Sequence, residues 1–211
     1  LKELTLRSFR NYNETVFNFS DKINVLYGNN GLGKTNILEA IYMLGNGISF
    51  RTRLDREIIK NGNDNYFIRG IFREDNLSYD TTIEITYQKK SKKVFMDKKE
   101  VSSRKDLIGK ILYIIFLPND TDLVTGEPKL RRDYFNMLIS TISIEYLSSL
   151  IKYNKLLKMR NICLIKSPNE ANIYNEEIAK LSLYIAKENL KYSKILEDKM
   201  NRTYETIFQN E

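Results

Sequence analysis

The stretch Gly28–Leu44, GNNGLGKTNILEAIYML, changes character midway: three glycines and two asparagines crowd up to Lys34, and from there apolar residues recur at helical spacing. Gly28, Gly33, Lys34 and Thr35 satisfy G-x-x-x-x-G-K-[ST], a pattern that means something only between a strand and a helix. Both flanks are predicted. KINVLY (22–27) reads as a short strand, and Ile37, Leu38, Ile41 and Leu44 fall on one helical stripe that Gly45 and Gly47 terminate. The chemistry follows from the backbone. Glycines let the chain turn tightly enough for the N–H groups of Gly28, Asn29, Asn30, Gly31, Leu32 and Gly33 to face phosphate oxygens, and the helix N-terminus adds the positive end of its dipole. Lys34 then reaches the β- and γ-phosphates, the Thr35 hydroxyl ligates Mg²⁺, and Asn36 completes the candidate cofactor-binding run. The expected cofactors are ATP and Mg²⁺. A plain glycine-rich turn between packed elements leaves unexplained why lysine and threonine follow the last glycine.

Bulk properties restrict what such a loop serves. With 211 residues, 42% of them hydrophobic, the chain can bury one core, or a core and a smaller appendage. No run approaches the 18 or so apolar residues of a membrane span, so no membrane association is expected. Cys163 stands alone and histidine is absent, which excludes internal disulfides, histidine acid–base chemistry and zinc sites, and favours a reducing cytoplasmic setting. The chain starts at Leu1 with no charged-then-apolar leader, so a trimmed start and neither a secretion signal nor a transit peptide are expected. A net charge of +7 permits a polyanionic partner without identifying one, since a solvated surface accounts for charge equally well.

Along the chain, LKELTLRSF and ETVFNF read as two strands before the one that enters the loop. YFIRGIF, YDTTIEITYQ and KKVFMDKKEV (66–101) read as an antiparallel meander with basic turns at QKKSKK and MDKKE, and the apolar run ILYIIFLP (111–118) as a buried strand stopped by proline. After Pro128 strand signals vanish. An α/β P-loop lobe with a mixed sheet (1–128) followed by a helical lobe (129–211) is therefore expected. The helical part repeats Leu147, Leu150, Asn154, Leu157, Asn161 and Leu164, breaks at KSPNEAN, and resumes with Ile178, Leu181, Ile185, Tyr192, Leu196, Met200 and Ile207, the pattern of an antiparallel hairpin.

In order and spacing, LTLRSFRNY (4–12), INVLYGNNGLGKTNILEAIYML (23–44), SFRT (49–52) and LPNDTDLVTGEPKLRRDYF (117–135) resemble the RecF family, bacterial DNA replication and repair proteins in the SMC-like branch of ABC-type ATPases. N-G-x-G-K-T-N-x-L-E-A-I is common to that branch; the Ser-x-Arg element and P-x-D-x-x-L-V-x-G-x-P-x-x-R-R select RecF. The resemblance covers 4 to about 136. It implies recombinational repair and replication-fork maintenance: ATP-driven homodimerisation on double-stranded DNA beside a single-stranded gap, recruitment of RecR with RecO, RecA loading, and slow hydrolysis. The sequence departs from the pattern at Asn119, which puts a helper role there in doubt, and at Asn136. Walker B, signature and D-loop elements are not found in 137–211, so a truncated, N-terminal portion with little ATPase activity of its own is expected.

Other residues divide between functional and ordinary roles. The resemblance implies that Arg10 clamps phosphate and that Asp120, in the segment joining the lobes, positions water or reports nucleotide state, so Lys34 and Asp120 are the candidate catalytic pair. Pro118 and Asn119 hold Asp120 off the tip of the preceding strand, which argues against ILYIIFLPND as Walker B itself. Arg51, Arg53, Arg56 and Lys60 are candidates for DNA phosphates, and Arg131 with Arg132, at a helix start where the dipole disfavours them, suggest an ionic partner, DNA or the other lobe. Lys89, Lys90, Lys92 and Lys93 suit DNA or a solvated turn equally. Rival readings are a RecN-like or double-strand-break repair head, which needs long coiled coils, and a small-molecule kinase using 51–60 as a lid, for which the meander leaves little room.

Overall fold

The computed structural model describes residues 1–73 and 78–208, apart from the side chains of Asn119 and Asn169; Asn119, singled out above for its side chain, therefore lies outside the described residues there. The chain divides into two compact units, Leu1–Ile115 and Phe116–Glu211.

The first unit is built on six strands, β1 (Glu3–Phe9), β2 (Tyr12–Asn18), β3 (Tyr66–Arg73), β4 (Asp80–Gln88), β5 (Ser91–Met96) and β6 (Lys99–Glu100), in the order β2-β1-β3-β4-β5-β6. Every described pairing is antiparallel, so the mixed sheet expected from sequence is corrected to an antiparallel one, while the meander over 66–101 forms as read. Alternation decides which face is inside. Leu4, Leu6, Ile68, Ile83 and Ile85 are fully buried and pack against helix α1 (Lys34–Asn46) through Ile37, Ala40, Met43 and Leu44. At Gly70 α1 comes close to the sheet: a Cβ there would lie 2.5 Å from a Leu44 methyl. The buried stripe of α1 is thus rotated from the expected one, because Leu38 is 41% exposed and Ile41 only partly covered.

That rotation has a cause. KINVLY and ILYIIFLP, both expected as strands, form no ladder: Ile23, Val25 and Tyr27 are 83%, 74% and 90% exposed, and Leu112 and Ile114 are 70% and 98% exposed. Exposure alternates residue by residue from 111 to 118, as in a strand with one covered face, but no described strand lies beside either run to take its backbone hydrogen bonds. Strand state depends on a partner, whatever the propensity. Two open hollows of about 520 and 530 Å³ flank Ile41, one lined by Phe19, Leu26 and Leu38, the other by Phe72, Leu112 and Tyr113.

The two basic turns are tight hairpins. Lys89 and Lys90, and again Asp97 and Lys98, occupy the left-handed region at φ of 53° and 63°, and 49° and 67°. Two-residue loops of this kind match the twist of the flanking strands but favour Asn-Gly, since side chains strain the left-handed state. Lys98→Gly is expected to raise the stability of the first unit by about 1 kcal/mol, read as a higher denaturant midpoint at unchanged m-value.

A pH dependence is also built in. Tyr66 is 1% exposed and donates a 2.7 Å hydrogen bond to Asp55, which Lys92 also contacts at 2.9 Å. Burial, and secondly that carboxylate, pushes its phenol far above the ordinary value of 10. A raised pKa keeps the folded state protonated where the unfolded chain ionises, so the contribution is complete below pH 10 and is lost above it. Tyr66→Phe is expected to flatten the decline in urea-unfolding stability between pH 9.5 and 11.

In the second unit, α3 (Asp122–Thr125) and α4 (Pro128–Ile142) precede α5 (Ile144–Lys166) and α6 (Asn175–Phe208); the four-residue α2 (Arg104–Leu107) belongs to the first unit, where Arg104 Nε donates to the Asn46 carbonyl at the end of α1. The hairpin forms as expected. Tyr146 bonds Asn189, and Arg160 bonds Asn175, so the start of α5 meets the middle of α6 and the end of α5 meets the start of α6. Its seam differs from the one read in sequence: Leu147 is buried, Tyr153, Leu157 and Arg160 are partly covered, and Asn154, Asn161 and Leu164 are exposed. Turning the polar positions outward spares two amides burial without partners. Among the described residues no helix is long and apolar enough to cross a membrane.

Candidate functional site

The loop before α1 has the conformation that its glycines permit. Gly28, Gly31 and Gly33 take φ values of 137°, 85° and 99°, all in the region that side chains disfavour. Gly33 is the N-cap of α1, so no side chain caps that end, and no acidic residue sits in its first turn. The free N–H groups of a helix start are left for an anion. Lys34 Nζ curls back onto the carbonyls of Gly28 and Asn29 at 2.8 and 2.9 Å, closing the loop around its own ammonium. These groups fit a polyphosphate, and the exposed Thr35 hydroxyl fits one position on its magnesium ion. Among the described residues no cluster of three Asp, Glu, Cys or His side chains is placed to hold a metal by itself.

The walls of the loop come from the β1–β2 turn. Asn11 Nδ2 donates to the Leu32 carbonyl at 3.0 Å, and Asn36 Nδ2 donates to Asn11 Oδ1 at 2.9 Å. A Cβ on Gly33 would lie 2.6 Å from the Asn11 amide and 2.8 Å from the Tyr12 hydroxyl, so only glycine fits there. Arg10, at φ 54°, turns the chain at this point. Its Nε and Nη2 donate to both oxygens of Glu39 at 2.9 and 2.5 Å, and Nη1 donates to the Glu57 carbonyl at 2.6 Å. Arg10 is thus bound into the protein through all three nitrogens. Glu39 is fully buried and also accepts from Ser49 Oγ at 2.5 Å. Arg51 Nη1 lies 2.8 Å from Asn36 Oδ1 and 3.5 Å from Glu39. Neither Asn11 nor Glu39 stands out as functional in sequence; the signal was there in FRNY and in LEAI, but only folding brings them together.

Of the candidate DNA residues, Arg51 and Lys60 line one open hollow of about 450 Å³ with Arg10, Asn11, Asn36 and Asn61. Arg53 and Arg56 are exposed outside it. The lysine group divides: Lys92 pairs with Asp55 and Lys93 with Glu100 at 3.6 Å, while Lys89 and Lys90 form the hairpin tip. In the second unit Arg131 Nη1 donates to the carbonyls of Leu123, Val124 and Gly126 at 3.1–3.3 Å, which accounts for a cation at a helix start: it caps the preceding turn. Arg132 is exposed. Asp120 Oδ2 accepts from the Leu117 N–H at 2.7 Å within its own turn.

Residues 1–120 match the RecF/RecN/SMC N terminal domain family. The chain belongs to that family. Its relatives include the DNA replication and repair protein RecF of Leptospira interrogans serovar Lai (strain 56601), 38% identical over 192 residues covering 88% of this chain and 52% of the relative, and that of Clostridioides difficile (strain 630), 39% identical over 88% and 50%. Two solved chains described as the recombination mediator protein RecF in the RecFOR pathway, RecF-ATPrS and RecF-ATP, superpose with TM-scores of 0.92 and 0.91 at 30% identity, covering 99% of this chain and 58% and 57% of theirs. The chain spans about half to three fifths of the length of these relatives, and the likeness extends through the helical unit, beyond the residue 136 at which the sequence motifs run out.

Proposed function

We propose that this chain is the N-terminal part of a RecF-type repair ATPase, acting in the cytoplasm in recombinational repair and replication. Gly28–Asn36 take the phosphates of ATP, Lys34 meets the β- and γ-phosphates, and Thr35 completes a magnesium site. Arg10 supports that site as a strut beside it. Asp120, with one carboxylate oxygen engaged by its own turn, is the candidate to sense nucleotide or position water. Arg51, Arg53, Arg56, Lys60 and Arg132 offer charge to the backbone of double-stranded DNA at a single-strand gap. ATP-dependent homodimerisation, RecR with RecO as partners, and RecA loading belong to the same reading, which the RecF resemblance supports. The observation that carries the reading is an uncapped, acid-free helix start behind a glycine loop closed on its own lysine, in a chain whose solved relatives include RecF-ATP and RecF-ATPrS.

The test is anisotropy of a labelled gapped duplex titrated with the chain and Mg·ATP at several salt concentrations. Affinity is expected to fall linearly in log–log form with slope about −0.9 per phosphate contacted, and to weaken in an Arg51, Arg53, Arg56 triple alanine variant. ATP hydrolysis is expected to be barely measurable. A metabolite kinase would bind ATP and show no salt-dependent DNA binding.

A further inference from the structure

Among the described residues Glu39 is the only aspartate, glutamate, lysine or arginine that is buried. It occupies a face of α1 otherwise given to Ile37, Ala40, Met43 and Leu44, where an apolar side chain would avoid the desolvation of a carboxylate. The charge is compensated by three residues from two segments: Arg10 from the β1–β2 turn, and Ser49 and Arg51 from the stretch after α1.

From Arg51 a directional chain of hydrogen bonds reaches the phosphate loop. The guanidinium can only donate, so Asn36 must present its oxygen to Arg51, at 2.8 Å, and its amide nitrogen to Asn11 Oδ1, at 2.9 Å. Asn11 in turn donates to the Leu32 carbonyl at 3.0 Å. Neither amide can be flipped without breaking the chain at both ends. The Asn11 amide also forms the wall against which Gly33 is packed.

We propose that Glu39 is a positioning residue for the phosphate loop: it orients Arg51, and through Asn36 and Asn11 it holds Leu32 and Gly33 in the conformation that receives polyphosphate. This rests on the ATP reading of the loop. The sign of the effect separates positioning from plain electrostatics. Removing a negative charge next to a phosphate site should tighten ATP if charge were all that mattered; loss of the relay should weaken it.

The experiment is Mg·mant-ATP binding to the chain for wild type, Glu39→Gln, Arg51→Ala and the double variant, with Lys34→Ala as reference. Glu39→Gln is expected to weaken binding about tenfold, and the double variant to bind no more weakly than Arg51→Ala alone. Tighter or unchanged binding by Glu39→Gln, or losses that multiply in the double variant, overturn the proposal while leaving the ATP reading intact. Absent binding in wild type, or binding by Lys34→Ala equal to wild type, overturns the ATP reading and this proposal with it. Should Glu39→Gln fail to fold, Arg51→Gln and Asn11→Ala replace it: the relay requires their losses to be non-additive, and multiplicative losses overturn it.

Discussion

Lys34→Ala is expected to weaken the proposed ATP binding about a hundredfold, because the ammonium can bond two phosphate oxygens from inside the loop and charge-assisted bonds are worth about 1.5–3 kcal/mol. Stability barely changes. Without nucleotide the lysine is held by the carbonyls of Gly28 and Asn29 in an exposed loop, and water replaces it there. Isothermal titration with Mg·ATP, paired with a thermal melt of the apo chain, separates the two effects. An equal fall in affinity and melting temperature would mean that the lysine holds the loop together instead of gripping phosphate.

Arg10→Ala has the opposite signature. It strips a buried carboxylate of its two-pronged partner, leaving Ser49 and the more distant Arg51, and breaking a buried pair in this way costs about 3–5 kcal/mol, a large share of the stability of an ordinary domain. The first unit is expected to unfold at markedly lower urea concentration. Arg10→Gly loses the same pair but relieves a left-handed backbone at φ 54°, so it should be milder by about 1 kcal/mol. Arg10→Lys keeps one charged bond and falls between wild type and alanine. If Arg10 clamped phosphate, the alanine variant would lose ATP affinity and keep its urea midpoint; equilibrium unfolding of the three variants decides.

What could be read from the chain beforehand follows the range over which each feature is determined. The phosphate loop, the meander and the helical hairpin are local: glycines, alternation and 3,4 spacing act within a dozen residues, and each forms where expected. INVLY and ILYIIF have equally clear local signatures and still form no strand, because a ladder needs a neighbour that propensity does not supply. Glu39 is the complementary case. Four residues before Met43 it looks like an ordinary helix residue, and its meaning comes from Arg10, 29 positions earlier, and Ser49, ten later. Likewise the turn at Arg10 and Asn11 reads as a hairpin end, and only the packed structure sets its asparagine against Gly33. Arg131 shows the same limit for charge: an arginine placed against a helix dipole suggests DNA or the other lobe as its ionic partner, and three backbone carbonyls a few residues upstream bond it.

The two unladdered runs also govern how the chain behaves in bulk. Ile23, Val25 and Tyr27, and Leu112 and Ile114, expose apolar side chains on backbone free to pair, which makes each a template for cross-β stacking between molecules. Mutual repulsion from the net charge of +7 keeps molecules apart at low ionic strength. At about 1 M salt that repulsion reaches only some 3 Å. Concentrated salt of the kind used to test for DNA binding therefore also removes its colloidal protection, and turbidity is expected to set the upper end of such a titration.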